Sequence, residues 1–473
     1  MSKDIISEGD EGIRLIIRTP RARAAPNGSV RQPIHVFYGG ADRYSVETPR
    51  KLGRIALASI KAYSPSFVDF ASAFRLEGYE RLPSFPKAIR ELEAELRSSP
   101  DAVKHKNFPA WLAWSIFQKT RAKLKYEPVE DLRIDFEDGY GFRPEGEEDA
   151  HAVGAAAALG DAYNRKRITT FSGFRIKSLS RETYGRAVKT LELFLATFLE
   201  QTSGRLPTGF VITLPKVTSA KQVKDVCRRI GEFEKKYKLS KRSIGLELMI
   251  ETPEAIMDRK GRIMIPALIN AARGRCRSIH FGAFDYTAAL GIAGHHQSID
   301  HPACGLARSL MQLAVAGTGV GLSDSVTTEI PIPIHRQEGL SDAERAENRR
   351  AVHSAWLSHF RNVERSMGAG FYRSWDLHPN QLVARYAAVY SFFLREKDIQ
   401  ALRLRGFLEA ATKANLTGNT FDDSASAQGI MNFFRRGRDS GAFTSDEVEQ
   451  DLGLGPGELD LSFAELAQTK SQG

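Results

Sequence analysis

The sequence is poor in cysteine and has no long apolar segment. It contains three cysteines among 473 residues, Cys227, Cys276 and Cys304, which are too few and too scattered for a disulfide framework or a C-x-x-C metal site. No apolar run approaches the roughly 18–20 residues that cross a bilayer. The N-terminal segment MSKDIISEGDEG lacks the apolar core of a secretory signal. These absences predict a cytoplasmic protein without a membrane partner.

Long stretches of a single charge are also absent. The chain has 67 Lys and Arg against 57 Asp and Glu, a formal charge of +10. The basic residues mostly alternate with acids, as in KQVKDVCRRIGEFEKKYK at 221–238, which is typical of solvated helix faces. Nucleic-acid binders usually concentrate their positive charge in a stripe or tail. We therefore expect no nucleic-acid partner, and the positive field suits a small anionic substrate.

Short apolar, β-branched or aromatic runs recur along the chain. They occur at 34–40, 132–139, 173–179, 209–217, 244–253, 278–286, 320–330 and 370–379. From the second run onward they begin 34 to 50 residues apart, with helical patterns between them. This is the spacing of a strand followed by a crossover helix. Eight such units predict an α/β fold, a (β/α)8 TIM barrel, with an open doubly wound sheet as the alternative.

The segments outside this rhythm predict the domain organisation. Residues 1–32 show no sustained period and are expected to form a flexible lead-in to a barrel at 33–385. The interval after the first run is too long for one crossover, so a helical insertion is predicted at about 71–130. A helical extension that ends in a polar tail is predicted at 386–473.

Charged side chains collect at the ends of the predicted strands, where the loops of a TIM barrel converge and carry its catalytic groups. The charged and polar residues at these ends are Asp135, Glu137, Asp138, Arg175, Lys177, Lys216, Glu251, Thr252, Asp285, Asp376 and His378. Charges in or beside apolar strands are costly unless they are paired or bind a ligand. The set therefore predicts either a functional site or a ring of salt bridges at the barrel rim.

The residue types at this rim favour one reaction class. Carboxylates without cysteine or paired histidine suit Mg²⁺ or Mn²⁺ better than zinc. An arginine opposite such a metal is suited to clamp a carboxylate, because its guanidinium is planar and always charged. A metal chelated by a 2-oxo acid stabilises the enolate that forms when a carbon–carbon bond is cleaved. The rim thus indicates a magnesium-dependent lyase for a small carboxylic acid.

Six short motifs resemble one family. Ile134–Gly139 is similar to L-D-L-E-D-A, Phe174–Lys177 to V-R-I-N and Leu214–Val217 to L-P-K-V; Ile250–Thr252 is similar to I-E-T, Phe281–Gly291 to F-G-x-x-D-L…L-G and Leu377–Gln381 to I-H-P-x-Q. In this order, they resemble the HpcH/HpaI aldolase and citrate lyase β-subunit family, which includes malyl-CoA lyases. The resemblance extends over about 34–385.

The resemblance implies roles for individual residues. Mg²⁺, or Mn²⁺, would be held by Glu251 and Asp285, while Arg175 would bind the substrate carboxylate. Glu137 and Asp138, also catalytic, would orient metal-bound water and the side chain of Arg175. A further catalytic residue, Asp422, lies in a G-x-x-x-D stretch that malyl-CoA lyases supply from a neighbouring subunit, although an Asx-turn at a loop corner explains it almost as well. Lys216, Thr252 and His378 are expected to bind substrate.

The expected reaction is aldol- or Claisen-type cleavage or condensation of a hydroxy acid or its CoA thioester. Because C-terminal segments of this family reach a neighbouring site, we expect a homo-oligomer, a trimer or a hexamer. Two alternatives remain open. Lys216 is a candidate for a metal-independent Schiff base, and a non-catalytic barrel would act as a binding protein, with its basic surface engaging a polyanion.

Overall fold

Eight parallel strands form a single sheet in a computed structural model, which describes residues 31–412 and 424–471. The strands are β1 His35–Gly40, β2 Asp131–Asp135, β3 Phe171–Arg175, β4 Val211–Leu214, β5 Gly245–Ile250, β6 Cys276–Phe281, β7 Gly321–Ser323 and β8 Ser374–Asp376. Each lies within one of the eight runs that the sequence predicts or overlaps it closely.

The strand order establishes a barrel. It runs β7-β6-β5-β4-β3-β2-β1-β8, so every strand pairs with its sequence neighbour and β8 returns to β1. The remaining gap is bridged just after β7, where Val326 pairs with Trp375 in parallel and the Asp324 amide donates to the Arg373 carbonyl at 2.8 Å. The predicted (β/α)8 class is confirmed, and the open doubly wound sheet is wrong because its strand order would be rearranged.

Helices occupy most of the chain between these strands and after the last of them. In chain order they are α1 Thr48–Tyr63, α2 Phe67–Phe74, α3 Pro86–Ser98, α4 Pro100–Lys106, α5 Phe108–Tyr126, α6 Glu145–Asn164, α7 Tyr184–Gln201, α8 Ala220–Lys236, α9 Pro253–Ile256, α10 Ile265–Ala271, α11 Ala283–Ala289, α12 Pro302–Val315, α13 Asp342–Gly368, α14 Gln381–Thr412, α15 Ser424–Asp439, α16 Ser445–Leu452 and α17 Phe463–Ser471. None of the helices in the described ranges combines the length and hydropathy that a bilayer crossing requires.

The described chain divides into two compact units. One comprises Pro33–Ala56 and Glu127–Leu382 and contains all eight strands. The other contains Leu57–Tyr126 and the described residues from Val383 onward, and it is helical. Its side chains include buried aromatic contacts such as Phe70 with Phe117, whose ring centroids lie 5.4 Å apart. The domain boundaries drawn from the sequence remain a prediction.

Successive side chains of each strand point alternately toward the surrounding helices and toward the barrel interior. In β3, Phe174 faces the surrounding helices and stacks on Phe194 of α7 at 4.0 Å between ring centroids. The next residue, Arg175, reaches Asp135 on β2. This five-residue strand therefore packs against a helix through Phe174 on one face, and it places the charged Arg175 on the other face.

The barrel interior is layered. Near the amino ends of the strands, Glu247 forms buried ion pairs with Arg133 and Arg373. Above it along β5 lies Met249, part of an apolar cluster with Val36, Tyr38, Val326 and Trp375. Glu251 follows directly after β5. A polar layer, an apolar layer and a carboxylate thus succeed one another toward the carboxyl ends of the strands.

Candidate active site

Seven charged residues meet at the carboxyl ends of the strands. We call this set the rim cluster, and it consists of Asp135, Glu137, Asp138, Arg175, Lys216, Glu251 and Asp285. Arg175 ends β3, Glu251 follows β5 and Asp285 lies in the first turn of α11. Strands β2 to β6 are consecutive neighbours in the barrel, so their ends bring these side chains together.

Arg175 is buried and tied to a carboxylate. Its Nε and Nη2 donate to the two oxygens of Asp135 at 2.6 and 2.5 Å. Its Nη1 lies 3.0 Å from Glu137 Oε2 and 3.5 Å from Asp138 Oδ2, and its guanidinium lies 4.7 Å from the ring centroid of Tyr38. Two of its three nitrogens are therefore occupied by Asp135, and Nη1 is the part that reaches the rest of the rim cluster.

Lys216 contacts the largest number of acids in the rim cluster. Its Nζ lies 2.5 Å from Glu137 Oε1, 3.1 Å from Asp138 Oδ1 and 3.7 Å from Asp285 Oδ2. Its backbone amide donates to Glu251 Oε1 at 2.6 Å. Burial opposes its charge, but Glu137, together with Glu251 and Asp138, raises the pKa of the ammonium above its ordinary value. Lys216 is thus held as a cation.

Glu251 is an almost wholly buried carboxylate. Its residue is 1% exposed, and burial, followed by repulsion from Asp285 and Glu137, raises its pKa to about 8. Gly282 leaves the space for it, because a Cβ at position 282 would come within 2.5 Å of Glu251 Cβ. Burial also raises the pKa of Asp285. Both carboxylates therefore lack sufficient positive charge around them.

The two acids after β2 differ in their surroundings. Glu137 is 9% exposed, and burial with repulsion from Asp138 raises its pKa to about 7 against the opposing effect of Arg175. The side chain of Asp138 is 59% exposed. Burial works against its charge, but Arg175 and Lys216 lower the pKa of this carboxyl. At neutral pH one acid is poised to exchange a proton and the other is ionised.

The remaining predicted site residues occupy other positions. Thr252 caps α9: its hydroxyl accepts from the Ala255 amide and donates to the Val217 carbonyl at 2.7 Å. His378 accepts from the Asn380 amide at 3.2 Å, and within the described residues no hydrogen bond or ion pair joins it to the rim cluster. Asp422 lies outside the described residues.

Sequence reasoning missed a positioning residue after β7. The Ser325 hydroxyl accepts from the Ala283 amide at 3.0 Å and so fixes the start of α11, which carries Asp285. The preceding Asp324 pairs with Arg308 at 2.8 Å. An acid and a serine after a short apolar run, SDS at 323–325, were the available signal, because they continue the pattern of polar strand ends.

The cluster fits a divalent cation by its donor chemistry. Mg²⁺ commonly uses one or two protein carboxylates and keeps several waters, which suits the pair Glu251 and Asp285. Within the described ranges no three His, Cys, Asp or Glu side chains form a ready-made metal cage. A metal here would depend on water or substrate for its other ligands.

Comparisons with known proteins give a family and a fold. The model of a family described as a domain of unknown function (DUF6986) matches residues 21–466. No curated protein sequence matches the chain. A citrate lyase structure from Burkholderia xenovorans LB400 is similar with a TM-score of 0.50 and 20% identity, over 70% of this chain and 91% of that chain. The predicted resemblance to the citrate lyase family is thereby confirmed in fold.

Two further structures are more distant. A Haloferax volcanii malate synthase in a lead(II) complex has a TM-score of 0.41 and 16% identity, over 72% of this chain and 88% of that chain. CitE from Mycobacterium tuberculosis, in complex with magnesium, acetoacetate and coenzyme A, has the same TM-score and identity, over 68% of this chain and 94% of that chain. Similarities of this size are too distant to assign a substrate or a ligand to this chain.

Proposed function

We propose that this chain, which belongs to the DUF6986 family, is a magnesium-dependent carbon–carbon lyase that acts on a hydroxy acid or its CoA thioester. The observation that carries the proposal is the charge balance of the rim cluster, in which five carboxylates surround two cations. Burial and mutual repulsion raise the pKa values of Glu137 and Glu251 to about 7 and about 8. A divalent cation would relieve that repulsion.

Glu251 and Asp285 would hold the cation, with Mn²⁺ as an alternative to Mg²⁺. When bound, the cation supplies positive charge to the oxygen that becomes negative as the carbon–carbon bond breaks. Arg175 Nη1 would bind a substrate carboxylate, since Asp135 fixes the rest of the guanidinium. Lys216 would keep Glu137 and Asp138 in place through its two short contacts with them.

Proton transfer falls to Glu137. In the cleavage direction the substrate hydroxyl loses a proton as the bond breaks, and the departing carbon gains one. A carboxyl group with a pKa of about 7 exchanges protons readily near neutral pH. Asp138 remains ionised and contributes through its contacts with Lys216 and Arg175. Roles for Thr252, His378 and Asp422 in binding or catalysis remain predictions.

The alternatives receive less support. A Schiff base requires a neutral amine, whereas the neighbouring acids raise the pKa of Lys216. A pure binding protein would have no need for a carboxyl group tuned toward neutrality beside a buried arginine.

A substrate panel tests the proposal. Hydroxy acids and their CoA thioesters would be incubated with Mg²⁺ while release of glyoxylate, pyruvate, oxaloacetate or acetyl-CoA is followed. We expect release from at least one compound, abolished by a chelator and by Glu137→Gln, and restored after chelation by Mg²⁺. Borohydride trapping of a Lys216 adduct together with chelator-resistant activity would instead establish the Schiff-base aldolase.

The cellular setting is part of the same proposal. All three cysteines are buried and unpaired, which suits a reducing cytoplasm. We also propose a homo-oligomer, a trimer or a hexamer, whose neighbouring subunit provides Asp422. Sedimentation at micromolar concentration should show one of these species, and a monomer would remove that role for Asp422.

A further inference from the structure

A basic cavity lies along helix α8, outside the rim cluster. It has a volume of about 640 Å³ and is lined by residues of α8 and of the segments before β5 and β6. Arg242 precedes β5, and Arg273 and Arg275 precede β6. None of the residues that line this cavity belongs to the rim cluster, so the two are separate groups of side chains.

The cavity wall carries an uncompensated positive charge. Seven of its ten lining residues are basic and one is acidic; the basic ones are Lys221, Lys224, Arg228, Lys241, Arg242, Arg273 and Arg275. Asp225, the single acid, is already bound by Arg228 at 2.8 Å and by the Tyr184 hydroxyl at 2.7 Å. Arg275 pairs with Glu234. Among the described residues, the other five cations make no ion pair with a carboxylate.

Buried contacts fix the position of the cavity's floor. Both nitrogens of the Arg275 fork reach Glu234, with Nη2 at 2.7 Å from Oε2. Glu234 also accepts from the backbone amides of Arg242 and Ile244 at 3.0 and 3.1 Å. The segment that carries Arg242 is therefore tied to α8 and to the segment that carries Arg275. A site whose parts are held in place loses less entropy when a ligand binds.

Two of the unpaired arginines have unfavourable backbone conformations. Arg242 and Arg273 have φ values of 65° and 51°, in the left-handed region that glycine adopts at lower cost. A guanidinium at each of these positions adds positive charge to the same cavity.

We propose that this cavity binds a small polyphosphate anion, either free or as the phosphate chain of a nucleotide. Its volume lies within the range of small-molecule pockets, whereas nucleic-acid surfaces present an extended basic stripe. Arginine forks match phosphate oxygens two at a time, and flanking lysines add point charges. The segment 221–238, which the sequence presents as a solvated helix face, thus supplies one wall of an anion site.

Calorimetry on the whole protein tests the proposal. Inorganic tripolyphosphate would be titrated at low ionic strength in buffer without divalent cations, and adenosine triphosphate would be titrated in parallel. We expect saturable binding of one tripolyphosphate per chain. If adenosine triphosphate binds more tightly than tripolyphosphate, the natural ligand is a nucleotide. If the two affinities are equal, the cavity recognises only the phosphate chain.

Matched variants locate the site. Arg242→Gln with Arg273→Gln should weaken binding at least tenfold. Lys235→Gln with Lys260→Gln removes two exposed charges from the same compact unit outside the cavity and should leave affinity within twofold. Glu251→Gln should also leave it unchanged, which separates this site from the rim cluster. Equal losses in the two double variants, or tighter binding of a single-stranded oligonucleotide than of tripolyphosphate, would overturn the proposal.

Discussion

The guanidinium of Arg175 lies between a buried carboxylate and the open part of the rim cluster. Asp135 holds Nε and Nη2, while Nη1 faces Glu137 and Asp138. This arrangement gives one side chain two tasks, because the bidentate pair fixes the direction in which the third nitrogen points. A lysine carries the charge but has neither the fork nor the fixed plane.

Arg175→Lys should therefore lose at least about 100-fold in kcat/KM, of the order expected when a charged hydrogen bond to the transition state is removed. The unfolding free energy should fall by about 1–3 kcal/mol, since Asp135 loses one of two charged hydrogen bonds. Steady-state kinetics and urea unfolding measure the two effects. Arg165→Lys, at an exposed pair with Asp161, serves as the control. Near-normal turnover in Arg175→Lys would contradict the proposed substrate contact.

His280 links pH to stability inside the barrel. Burial lowers its pKa from 6.5 to about 4, against the opposing effect of Glu247. Between these values the unfolded chain binds a proton that the folded chain does not, so stability falls as pH decreases from 6.5 toward 4. Between pH 7.5 and 5.0 this single group should remove about 2 kcal/mol of unfolding free energy.

His280→Gln should reduce that acid-side loss by about 2 kcal/mol in urea unfolding measured at the two pH values. The exposed His296 provides the control, because His296→Gln should leave the difference between the two pH values unchanged. An unaltered difference in His280→Gln would mean that the buried imidazole does not remain neutral in the folded protein.

At the scale of elements, strand β6 and helix α11 meet at Gly282. A Cβ at this position would come within 2.5 Å of Glu251 Cβ, an atom whose position is fixed by the backbone directly after β5. The turn therefore requires glycine for close approach to the neighbouring carboxylate. The same turn orients α11, whose first amide donates to Ser325.

Gly282→Ala should lower the unfolding free energy by about 1–3 kcal/mol, the usual cost of overpacking a buried position, and should reduce activity because Glu251 must move. Gly305→Ala in α12, where an added Cβ meets nothing within 4 Å, should raise stability by about 0.5–1 kcal/mol. Thermal or urea unfolding distinguishes the two. If Gly282→Ala left the free energy of unfolding unchanged, the space beside Glu251 would be larger than the structure indicates.

The strands could be predicted from sequence because each is a compact apolar run between helical patterns. Even β7 and β8, three residues each, fall inside predicted runs. The polar layer near the amino ends was not predicted, because Arg133 and Glu247 alternate with apolar residues as surface positions do. Only the closed barrel turns both side chains toward one another.

The site could be predicted in part. Arg175, Lys216 and the acids of the rim cluster could be predicted from the sequence, because the carboxyl ends of neighbouring parallel strands lie at the same end of a barrel. Two contacts could not be predicted: the bidentate pair of Arg175 with Asp135 and the capping of α9 by the Thr252 hydroxyl. Both depend on side-chain directions, which the spacing of the strands does not specify. Ser325 was missed because a serine after a short run resembles an ordinary turn residue.

At the scale of the whole molecule, the rim cluster has more negative than positive charge, whereas the cavity along α8 is lined mainly by basic residues. The net charge of +10 reveals neither the negative cluster nor the basic cavity, because it is a sum over the whole chain. A cation at the rim and an anion in the cavity would each neutralise a local excess of charge. If the rim cluster binds Mg²⁺, the stability of the entire protein should respond to this cation.

The melting temperature, measured in the presence and absence of Mg²⁺, reports whether the rim cluster binds this cation. A ligand that binds only the folded state stabilises it by mass action, so Mg²⁺ should raise the melting temperature of the wild type. Glu251→Gln and Asp285→Asn should each abolish the shift, and without metal each should be at least as stable as the wild type because a repulsion is removed. Glu254→Gln, an exposed acid three residues from Glu251, should retain the shift. A full Mg²⁺ shift in both Glu251→Gln and Asp285→Asn would contradict the account and direct attention to the acids at 135–138.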